Sequence, residues 1–98
     1  MELTIDGKQI RTNAFVQNIL SNISWSIIDS LDDIPENPQT MEISLAVDSD
    51  VAISVDGQVI RLNPFVHKAT HNIIMGMVNA LDKTPENPEN IILLISKK

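Results

Sequence analysis

Apolar and polar positions alternate at the start of the chain: Leu3, Ile5 and Ile10 fall on one side, and Thr4, Gln9 and Arg11 on the other, about a central Asp6-Gly7. Asp-Gly accepts the positive φ values of a two-residue type I′ turn, so the pattern predicts a hairpin with Leu3 opposite Ile10 and Ile5 opposite Lys8. The arrangement returns around Asp56-Gly57, with Val51, Ile53, Val55, Ile60 and Leu62 on the inward face. One side of each hairpin is therefore expected to be core and the other largely solvated.

After each hairpin the period lengthens. Asn13 and Asn63 stand as N-caps, and Pro64 occupies a first helical position, where its missing N–H costs nothing. At about 100° per residue, Phe15, Val16, Ile19, Leu20, Ile23, Ile27 and Leu31 fall within a sector of about 160°, which predicts a helix with that stripe facing the core. Phe65, Val66, Ala69, Ile73, Met77 and Leu81 repeat the stripe in a second helix. The prolines of Pro35-Glu36-Asn37-Pro38 and Pro85-Glu86-Asn87-Pro88 stop both helices. A last strand follows each stop. Met41, Ile43, Leu45 and Val47 alternate with Glu42 and Ser44, whereas Ile91 to Ile95 is an unbroken apolar run that predicts a strand covered on both faces.

These elements recur because the chain is duplicated. Residues 1–48 and 51–98 align at an offset of 50 with no gap and are identical at 15 of 48 positions, among them Asp6/Asp56, Gly7/Gly57, Asn13/Asn63, Phe15/Phe65 and Asn22/Asn72. The expected fold is α+β: one domain, 1–98, made of two tandem ββαβ repeats related by a pseudo-twofold, with two long helices packed on one face of a mixed sheet. The mixed sheet follows from reading each helix as a right-handed crossover between parallel strands. Residues 48–50 are short enough for an antiparallel junction between the copies.

The run Ile5-Asp6-Gly7-Lys8 with Ile10, Asn13, Phe15 and Val16, together with Asn63-Pro64-Phe65-Val66 and Ile74-Met75-Gly76-Met77-Val78, resembles a group of small uncharacterised archaeal or anaerobe-type proteins built around one such unit. The resemblance implies the fold and carries no activity, cofactor or catalytic residue with it.

Composition narrows the function classes. The formal charge is −6, the wrong sign for neutralising phosphates, so neither nucleic acid nor a membrane surface is an expected partner. Cysteine is absent, no apolar run spans a bilayer and no signal peptide opens the chain, so a cytoplasmic location is expected.

Chemistry-bearing constellations are few, and neither a catalytic set nor a cofactor is expected. His67 and His71 have the i, i+4 spacing of paired metal ligands, but no glutamate adjoins His67 and no third ligand stands at a useful spacing, so no metal site is assigned. Asn22 and Asn72 sit at the edge of the helical stripe and are expected to bond across the pseudo-twofold or to a neighbouring backbone, a polar ligand contact being the alternative. Ser26 and Gly76, at matching positions, are expected to admit close approach of another backbone element. The proline loops are read as helix stops rather than as acidic recognition loops presenting Glu36 and Glu86.

The copies differ most in charge and hydrophobicity. Copy one carries two basic and eight acidic residues, and copy two five basic and four acidic. Copy two has Ile74, Met75 and Val78 outside the stripe, and Ile92 and Leu94 where copy one has Glu42 and Ser44. An apolar flank of this kind predicts an interface through Ile74, Met75, Val78, Ile92 and Leu94, so the expected function is a noncatalytic module that self-associates or binds a protein partner. The alternative is a small-molecule-binding protein or minimal enzyme with a pocket between the helices lined by Asn22, Trp25, Asn72 and Met75.

Overall fold

The computed structural model describes residues 1–32, 34–46, 50–81 and 88–96. Residues 48–49 of the expected junction 48–50 and residues 85–87 of the second helix stop 85–88 lie outside the described residues. The elements run β1 (Glu2–Ile5), β2 (Lys8–Ile10), α1 (Ala14–Asp29), β3 (Thr40–Ala46), β4 (Val51–Val55), β5 (Gln58–Ile60), α2 (Pro64–Asn79) and β6 (Asn90–Ser96).

The local chemistry acts as its residue types dictate. Asp6 and Gly7 have φ of 51° and 79°, and Asp56 and Gly57 have 50° and 82°, the paired left-handed conformations of a type I′ turn. The register that follows sets Leu3 opposite Ile10 and Ile5 opposite Lys8. Asn13 Oδ1 accepts the Val16 N–H at 2.9 Å and Asn63 Oδ1 the Val66 N–H at 2.8 Å, so each helix begins at its asparagine.

The sheet is a single six-stranded one in the order β2-β1-β6-β3-β4-β5, and every neighbouring pair is antiparallel. This corrects the expected mixed sheet. β3 does not return beside the β1–β2 hairpin, nor β6 beside the β4–β5 hairpin; β6 pairs with β1 and β3 pairs with β4, so β1 and β6 separate β2 from β3. The seven-residue strands β3 and β6 pair with each other at the centre, and the three-residue strands β2 and β5 form the edges, too short to template further pairing.

One core cluster lies between sheet and helices. It takes alternate strand residues, including Leu3, Ile5, Ile43, Ile53, Leu93 and Ile95, and from the helices Leu20, Ile28, Ile74 and Val78. The helices are thus turned about 90° from the expected stripe. Leu20, Ser24 and Ile28 of α1 and Thr70, Ile74 and Val78 of α2 are buried, while Phe15 is 72% and Phe65 79% exposed. The unbroken run in β6 also alternates in burial: Ile91, Leu93 and Ile95 point into the core, and Leu94 remains 40% exposed on the uncovered face. Helices cover one side of the sheet only, so even a central apolar strand keeps one face toward solvent.

Candidate functional site

The five residues expected to form a copy-two interface are divided by the sheet. Ile74 and Val78 are fully buried between α2 and the strands, so in the folded chain they cannot meet a partner. Ile92 and Leu94 stand on the opposite side, because successive strand residues point to opposite faces and Ile91, Leu93 and Ile95 take the core side. Met75 is half-buried against the core from the flank of α2.

The four residues expected to line a pocket do not converge either. Asn22 and Asn72 are exposed on the outer surfaces of their helices, where neither amide needs the buried partner foreseen for it. Trp25 and Met75 are half-buried on the helix flanks. An added Cβ at Gly76 would meet no atom within 4 Å, so the small residue there does not serve close backbone approach.

What the helices do form is a groove of about 510 Å³. Its walls are Ile23, Ser26 and Ile27 from the C-terminal half of α1, Ser30 and Leu31 just beyond its end, and Phe65, Val66, Ala69, Thr70 and Ile73 from the N-terminal half of α2. The helices therefore run antiparallel past each other. The Ser30 hydroxyl donates to the Ser26 carbonyl oxygen at 2.9 Å, which commits one of the few polar groups lining the groove. Along the two helices Phe15, Ile19, Phe65 and Ile73 are large apolar side chains with 37 to 79% of their surface exposed. Within α1 the sole ionisable residue is Asp29, and in α2 only His67, Lys68 and His71 can carry charge. On a chain of charge −6, the outer helical surface is thus nearly free of charge.

His67 has a structural partner. Its Nε2 accepts the Val51 N–H at 3.0 Å, which requires the neutral ring with its proton on Nδ1. The Asp50 carboxylate lies 3.6 Å from the same nitrogen, a contact that becomes an ion pair only in the protonated ring, which can no longer accept from Val51. Among the described residues, no three His, Asp or Glu side chains come together as a metal-binding group. No helix among them is long and apolar enough to cross a membrane.

Asp6 and Asp56 do more than turn a hairpin. Asp6 Oδ1 accepts the N–H groups of Glu89 and Asn90, both at 2.9 Å, and Asp56 Oδ1 accepts those of Gln39 and Thr40 at 3.0 and 2.8 Å. The β1–β2 turn thereby holds the start of β6, and the β4–β5 turn the start of β3. These donors hold the Asp56 carboxyl below its ordinary pKa, with the Thr40 N–H as the main cause and the Gln39 N–H next. Asparagine and aspartate both serve a type I′ turn and both offer an acceptor oxygen, so Asp-Gly in the sequence marked the turn and not the bond to the distant strand.

No protein-family profile matches the chain, and no curated protein or solved structure is significantly similar to it.

Proposed function

We propose that this chain is a fused pair of ββαβ units related by a pseudo-twofold, acting in a reducing compartment such as the cytoplasm as a noncatalytic module that binds a protein through its outer helical surface. The ladders support the fused pair. Thr40 pairs with Ser96 and Ala46 with Asn90, so exchanging every residue for the one fifty positions away turns each pair into the other. Ile43 and Leu93, themselves fifty apart, are directly opposite.

The observation that carries the binding function is the exposure of Phe15, Ile19, Phe65 and Ile73 along two helices nearly devoid of charge. Solvated helix faces ordinarily carry charged side chains, whereas the centres of protein interfaces are depleted in charge and enriched in aromatic residues. A photoreactive phenylalanine analogue at Phe15 or Phe65, irradiated in the producing cell, is expected to yield a protein adduct of discrete mass. The same probe at Gln9 or Ser44, away from the helices, is expected to yield none. Absence of any adduct from both helical positions would overturn the assignment.

A second reading, small-molecule binding, draws on the groove volume of about 510 Å³, which lies in the usual range of ligand pockets. Native mass spectrometry distinguishes it: a co-purifying small molecule lost on Ala69→Trp would favour the ligand.

A further inference from the structure

Resting on the assignment of the outer helical surface as a protein-binding face, we infer that its occupant is a second copy of this chain, stacked helix layer on helix layer about a twofold axis parallel to the helices. Charge is the first argument. Two copies of a chain of charge −6 repel wherever acidic surfaces meet, and this face is where such copies can approach without opposing carboxylates. A strongly basic partner would find almost nothing here to complement.

Symmetry and placement give the geometry. At about 100° per residue, Asp29 and Lys68 each lie on the side of their helix turned away from the groove, so they mark the two outer borders of the helix pair. Both are exposed. Asp29 is the last residue of α1 and Lys68 the fifth of α2, so in antiparallel helices they stand at the same end. Rotating a second copy about an axis parallel to the helices exchanges the borders and keeps the ends. Lys68 of each copy then lies over Asp29 of the other, and Asn18 over Asn79. Rotation about an axis across the helices would instead set both charged groups over asparagines. Charge complementarity selects the first arrangement, an isologous contact in which each pair occurs twice.

Size is adequate. Each helix has 16 residues, and at about 24 Å by 20 Å the pair has a footprint near 500 Å². Its corrugated accessible surface exceeds that flat projection, approaching the roughly 800 Å² per partner of a standard interface.

Sedimentation of the full chain across a concentration series tests this, with circular dichroism confirming the fold of each variant. The chain is expected to dimerise. Lys68→Glu and Asp29→Lys are each expected to weaken the dimer by on the order of tenfold, and the double reversal to restore it. A chain that stays monomeric at about 100 μM, reversals that leave the dissociation constant unchanged, or a double variant no tighter than the singles would each overturn the second copy as occupant. Photo-adducts at Phe65 to a different protein, from a monomeric chain, would sink the dimer yet leave the binding face standing; no adduct at all would remove both.

Discussion

The carboxylate of Asp6 accepts the backbone N–H of Asn90, 84 positions later in the chain, at 2.9 Å. The Asp6 N–H in turn donates to the Asn90 carbonyl oxygen at 2.8 Å. Asp56 and Thr40 repeat both bonds, at 2.8 and 3.0 Å. Each type I′ turn is thus a latch on the strand contributed by the other half, and the two halves are held together at both ends of the central pair of strands.

The latch makes stability depend on acid. Because its folded-state pKa lies below the ordinary value of 3.8, the Asp56 contribution is complete above that value. It declines as pH falls through it and is lost once pH drops below the folded-state value. Asp56→Asn keeps an acceptor oxygen and tolerates the positive φ but cannot ionise. Urea-unfolding midpoints are expected to be lower for the variant at neutral pH and to converge with those of the parent chain in strong acid. A gap independent of pH would refute the latch.

Two glycine substitutions should act with opposite sign. Gly7 has φ of 79° with open space where a Cβ would stand, so Gly7→Val costs about 1 to 3 kcal/mol through backbone strain alone. Gly76 lies within α2 with the same open space, and Gly76→Ala should stabilise by about 1 kcal/mol. Thermal unfolding at a fixed protein concentration measures both.

The buried stripes supply a third test. Ser24 is fully buried and its hydroxyl has no hydrogen-bond partner, so Ser24→Ala should be neutral or raise stability by about 1 kcal/mol. On α2, Ile74→Ser with Val78→Lys should abolish the cooperative unfolding transition, because it places a hydroxyl and a charge in a closed core. A folded monomer from that double variant would mean these side chains face a partner.

His67→Ala leaves the Val51 N–H without its acceptor and should cost about 1 kcal/mol. His71→Ala should change stability by less than about 0.5 kcal/mol, as expected of a surface substitution. Equal losses at the two positions would contradict the assignment of a structural bond to His67 alone.

Nearest-neighbour chemistry made much of this fold legible before any coordinates. Asp-Gly turns, asparagine caps, Pro64 at the head of α2 and the alternation of β1, β3 and β4 are all decided within a few residues, and each stands where the residue types place it. The 15 identities between residues 1–48 and 51–98 at an offset of 50 are likewise a property of the sequence alone. The rotation of the helices was not legible, because α1 is apolar on more than one side. Leu20 and Ile28 mark one face, and Phe15, Ile19 and Ile23, spaced four apart, mark another. Periodicity then offers more than one stripe of comparable hydrophobicity, and contact with the sheet selects among them. Strand order was hidden for a related reason. The pairing of β1 with β6 joins opposite ends of the chain, and no local pattern distinguishes it from a return to each strand's own hairpin. That choice sent Ile74 inward and Leu94 outward, dissolving the surface their shared hydrophobicity suggested, and left Phe15 and Phe65 exposed on the helices instead. Composition sets how much apolar surface the chain carries; only the packing of helices on one side of the sheet decides which part of it stays uncovered.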